Sequence, residues 1–121
     1  GMEGLVEPTI QRWFTPESVE ANIPILDKVR GMIRSTDQTG HAGCCQALKT
    51  LAFGSRLGEI SVPTLIVGGA KDKGAPPEAL SAAADAIPGA KHVMISGAGH
   101  ISNLENPSDF NAALKAFLDG L

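Results

Sequence analysis

VPTLIVGGAKDKGAPPEALSAAADAIPGAKHVMISGAGH, residues 62 to 100, holds two apolar runs of strand length with a helix-length segment between them. The first run opens after Pro63 and stays apolar to Ala70. That pattern predicts a strand over 63–70 buried on both faces. Pro77 opens the Ala-rich middle segment, and Pro88 and Gly89 close it, which predicts a helix over 77–87. AKHVMISG supplies a second strand over 91–97. Strand, helix and strand in this order predict a parallel pair joined by a crossover, and so an α/β fold.

Working outward, NPSDFNAALKAFLDG reads as a terminal helix through Leu118. Asn106 is its cap, Pro107 its first residue, and Asp109 lies in its first turn. Upstream, the chain reads helical. Thr15 caps a helix that starts at Pro16, and Ile25, Leu26, Val29, Met32 and Ile33 fall on one apolar face. GHAGCCQALKTLAF places Ala42, Cys45, Leu48, Leu51 and Ala52 along another stripe, which Gly54 to Gly58 interrupts. Residues 3–57 thus form a helical segment and residues 58–121 a β-α-β-α segment.

Composition narrows the function classes. Of 121 residues, 43% are hydrophobic and the net charge is −3, which suits a folded domain and gives no basic surface for nucleic acid or anionic membranes. No apolar run is long enough to span a bilayer. The adjacent Cys44 and Cys45 are not a disulfide framework, and the expected location is the cytoplasm. On a buried helix face they would serve as small apolar residues. His41 and Cys45, one helical turn apart, are only two ligands; a small metal or ligand binder using His41, Cys44 and Cys45 is the weakest alternative, and no metal site and no cofactor are expected.

Chemistry concentrates where the two strands end. Asp72 lies just past the first and His100 just past the second, and side chains at the carboxyl edge of a parallel sheet are where α/β proteins place their sites. Paired strands run about 4.8 Å apart, so the two side chains would emerge together. A carboxylate beside an imidazole fixes its tautomer and stabilises the imidazolium. Gly97 and Gly99 would let the backbone turn and keep bulk from the ring. The same placement also suits an aspartate that opens a turn and a partly buried loop histidine.

The stretch from Val62 to Leu118 resembles the C-terminal part of an α/β-hydrolase: the strand with its Asp, the last strand, the G-x-G-H turn and the final helix. QRWFTPES and GHAGCCQALKTLAF are similar to the cap helices of 3-oxoadipate enol-lactonases, and HISNLENP to that family's stretch after its histidine. The resemblance implies that Asp72 is the acid and His100 the general base of a triad. It places Trp13 and the Cys44–Cys45 region in a cap over the acyl pocket, with Trp13 either contacting substrate or packing the cap. Glu105 and Asn103 would brace the histidine loop or cap a helix. In that family the order is Ser, Asp, His, with the serine in G-x-S-x-G. None of the eight serines here sits in that motif; GSRLG at Gly54–Gly58 has its serine one place early. Cys44 and Cys45 lie within a helix, with no elbow to expose a thiolate. The expectation is therefore a truncated hydrolase lacking nucleophile and oxyanion hole, inactive alone. Its missing half would come in trans, or it would act as a non-catalytic module that forms a homo-oligomer, most simply a dimer.

Overall fold

The structure is a computed structural model that describes residues 1–121. Its N-terminal part is helical: α1 (Val6–Trp13), α2 (Pro16–Glu20), α3 (Ile25–Ser35) and α4 (Gln38–Lys49), with short 3₁₀ turns at Met2–Leu5 and Gly54–Glu59. The rest runs β1 (Leu65–Gly69), α5 (Pro77–Ala86), β2 (Lys91–Ile95), α6 (Ser102–Glu105) and α7 (Pro107–Leu118). No helix is long and apolar enough to cross a membrane.

The main core forms where α1 crosses α3. Met2, Val6 and Ile10 recur every fourth residue, and with Phe14 they meet Leu26, Val29 and Ile33; all seven are buried. Spacings of three and four place each set on one helix face, so a single stripe from each helix closes the interface. Ile101 and Leu104 pack on the edge of this cluster, which ties the segment after β2 to the helical part.

β1 and β2 pair in parallel, Leu65 opposite Lys91 through Gly69 opposite Ile95. Successive side chains of a strand point to opposite faces. A Cβ on Gly68 would meet Leu80 of α5 and Met94, whereas Lys91 reaches over the Phe117 ring of α7. α5 therefore covers one face of the sheet and α7 the other. Both helices begin at prolines, and Asn106 caps α7 by accepting from the Asp109 N–H at 3.3 Å.

Three expectations are corrected. β1 is shorter than residues 63–70 and is not buried on both faces: Leu65, Ile66 and Val67 are half-buried, and only Gly68 and Gly69 are enclosed. A two-stranded sheet leaves the far edge of β1 without a neighbour. The stripe of Ala42, Cys45 and Leu48 is exposed, both cysteines included, and Leu51 and Ala52 lie beyond the end of α4. Helical periodicity shows which face is apolar but not whether anything covers it. Met32, expected on the buried face of α3, is 57% exposed.

Candidate active site

Asp72 is placed by the way β1 ends. Beyond Gly69 the backbone stays tied to the neighbouring segment, through Ala70 N–H to the Ile95 carbonyl and Lys71 N–H to that of Ala98, both 2.9 Å. The chain then turns tightly, and Asp72 folds back into its own loop. Its Oδ1 accepts the N–H groups of Gly74 (2.7 Å) and Ala75 (3.1 Å). Its Oδ2 lies 2.8 Å from His100 Nδ1, and the side chain is only 4% exposed. Burial pushes this carboxyl up, but the Ala75 N–H, the imidazole and the Gly74 N–H outweigh it and hold the acid below its ordinary range. An ionised carboxylate can only accept. Nδ1 is therefore the donor, and in the neutral ring Nε2 carries the lone pair.

His100 sits on a loop fixed from both sides. Gly97 turns the chain at φ +69°, a conformation open to glycine. Gly69 and Gly99 then meet backbone to backbone: a Cβ on Gly69 would lie 2.0 Å from the Gly99 carbonyl oxygen. The His100 N–H donates to the Trp13 carbonyl at 2.8 Å, which joins the loop to the end of α1. Glu105 makes the second tie. Its Oε2 accepts from the Gly99 N–H (2.6 Å), and its Oε1 accepts from the Thr15 N–H (2.8 Å) and hydroxyl (2.6 Å). Burial raises the Glu105 carboxyl, but hydrogen bonds from the Ser18 and Thr15 side chains and the Gly99 and Thr15 backbones bring it below its ordinary value.

The imidazole is 42% exposed and opens beside a cavity of about 420 Å³. Its wall is made by Trp13 from the end of α1, by Val29, Met32, Ile33 and Thr36 from α3 and its C-cap, and by His100, Ile101 and Leu104 from the segment after β2. The Trp13 ring is stacked near the His100 ring, centroids 6.3 Å apart and planes inclined by 29°.

The structure thus brings together Asp72, His100, Trp13 and Glu105. Asn103 is exposed and takes no part in the loop's side-chain hydrogen bonds. Cys44 is exposed on α4; Cys45 lies 3.7 Å from His41 Nε2 without a third ligand. Ser55 is exposed on a 3₁₀ turn rather than on a strand-to-helix elbow. Sequence reasoning missed Thr15 as a partner of the loop: its Thr-Pro pair signalled a helix cap, and its second role needs Glu105, 90 residues away. It also missed Met32, Thr36, Ile101 and Leu104 as cavity walls, because they come from separate segments with no shared motif.

Residues 28–107 match the alpha/beta hydrolase fold family, and this chain belongs to that family. It is 31% identical to 3-oxoadipate enol-lactonase 2 of Acinetobacter baylyi, over 98% of its own length and 44% of that protein. Its fold superposes on the crystal structure of the enol-lactonase from Burkholderia xenovorans with a TM-score of 0.92 and 33% identity, over 98% of this chain and 45% of that one. A thermophilic esterase from Thermogutta terrifontis gives 0.91 and 28%, over 99% and 44%. The chain spans a little under half the length of these relatives, and it matches the C-terminal part of the enol-lactonase fold.

Proposed function

We propose that this chain carries the acid–base half of a site that hydrolyses carboxylic esters or lactones. His100 is the general base, Asp72 orients and stabilises it, and the nucleophile and oxyanion donors come from polypeptide outside these 121 residues. The observation that carries this reading is the 2.8 Å contact between buried Asp72 and His100 Nδ1 at the carboxyl edge of the sheet. In the proposed step, His100 Nε2 takes the proton of a hydroxyl nucleophile as its oxygen attacks the ester carbonyl. The imidazolium then returns that proton to the departing alkoxide. Asp72 stays ionised throughout. Likeness to enol-lactonases and an esterase supports the acyl-transfer class.

Alone, the chain is expected to hydrolyse esters no faster than its His100→Ala variant. The test is complementation with the portion of the Burkholderia xenovorans enol-lactonase that this chain does not match. Turnover that requires both chains and disappears in His100→Ala supports the reading. Equal turnover with His100→Ala, or none from a complex shown to have formed, counts against it.

A second reading is a non-catalytic module that associates with itself or with a partner bearing strands. The free edge of β1 favours it, together with Leu48, Leu51, Phe53 and Val62, all more than half exposed.

A further inference from the structure

We propose that the cavity beside His100 takes the uncharged, apolar part of an ester or lactone, and that this chain selects against substrates bearing a free carboxylate. The inference rests on the hydrolytic reading and adds the substrate class. Six of the eight wall residues are hydrophobic, and no lysine or arginine is among them. The two polar members offer an anion little. The Thr36 hydroxyl donates its hydrogen to the Met32 carbonyl at 2.9 Å, and His100 Nδ1 is committed to Asp72. The Trp13 indole N–H and His100 Nε2 remain, and neither is a fixed positive charge.

The surrounding charges point the same way. Arg30 and Arg34, on the helix that supplies Val29, Met32 and Ile33, are taken by Glu7 and Asp27 and by Glu3. Arg12 lines an adjoining cavity of about 230 Å³ that shares Trp13 and Ile33 with this one but does not include His100. Asp72 touches the imidazole, and Glu105 is bonded to the residue before it, so two fixed carboxylates flank the histidine loop. An incoming carboxylate would shed water, find no cation in the wall that this chain supplies beside His100 and meet two negative charges. A neutral ester or lactone loses only apolar hydration, and about 420 Å³ accommodates a small ring with a short chain. An enol-lactone of 3-oxoadipate keeps one free carboxylate, because only one of the two acid groups closes the ring. This cavity therefore disfavours the compound in the relatives' name.

Trp13 is the sole tryptophan and lines both this cavity and the adjoining one, so the part of its response that changes with Met32, a wall residue of this cavity alone, reports binding beside His100. The chain is titrated near neutral pH with a butenolide acetic acid and, separately, with its methyl ester, which share a skeleton and differ by one charge. The ester is expected to change Trp13 emission with a Kd at least about tenfold below that of the acid. Met32 is at the wall and 57% exposed, so Met32→Lys is tolerated and is expected to abolish most of that preference by supplying a cation. Equal or tighter binding of the acid, no response to either compound, or a Met32→Lys protein with unchanged preference each overturns the inference. The complementation assay judges the hydrolytic reading separately. Absent turnover with the ester preference intact removes that reading alone, and turnover that favours the acid removes this inference alone.

Discussion

Asp72 and Glu105 hold the His100 loop from its two sides, one through the imidazole and one through the Gly99 N–H. Both carboxyls are held below their ordinary values of 3.8 and 4.5. A lowered folded pKa means the stability each contributes is fully present above the unfolded-chain value. It is lost as the pH falls through that value towards the folded one. Chemical denaturation between neutral pH and pH values below the ordinary carboxylate range should show this acid loss, and a Glu105→Gln, Asp72→Asn double variant should show a flatter profile. Glu105→Ala strands the Gly99 and Thr15 N–H groups and is expected to destabilise the fold by about 2 kcal/mol, read from the urea midpoint. The Asp72–His100 pair was legible in the sequence because two strand ends define one sheet edge. The Glu105–Thr15 tie was not, since no local pattern joins residues 90 apart.

At the scale of elements, the periodic signals located helices and strands well but misjudged what covers them. The apolar spacing on α3 found Leu26, Val29 and Ile33, which the structure buries against α1. Leu26→Ala is expected to cost about 2–5 kcal/mol, checked by denaturant unfolding, because Leu26 is fully enclosed. α1 itself was not delimited from sequence: it is only eight residues long, and its spacing of Met2, Val6 and Ile10 carries Pro8 in the middle. α4 is the opposite case, a correct helix whose stripe remains in solvent. With every one of its residues exposed, α4 should exchange its amide hydrogens fastest of the helices longer than two turns. Hydrogen exchange read by mass spectrometry checks this, and protection of α4 equal to that of α3 would mean that something covers it.

The whole molecule is a helical core and a two-stranded sheet joined through Trp13, Glu105, Ile101 and Leu104, with the candidate site at the join. Two strands make a weak sheet, and the free edge of β1 presents unpaired backbone groups. Association is therefore expected. Light scattering should give a mass above that of the 12.5 kDa monomer that rises with concentration, and Val62→Lys with Phe53→Lys should lower it. A monomer mass at every concentration would contradict this. The sequence could show that two strands lie side by side, but what adjoins the second edge of β1 is a property of chain contacts that no run within it encodes.

The central claim is that Asp72 prepares His100 to accept a proton at Nε2, and ¹⁵N NMR of the imidazole rings tests it most directly. The three histidines are assigned by difference with His100→Ala, at a pH where the His100 ring is neutral. The account predicts a His100 ring protonated at Nδ1 and bare at Nε2, with that preference lost in Asp72→Asn. A ring protonated mainly at Nε2, or one unchanged by Asp72→Asn, would contradict it.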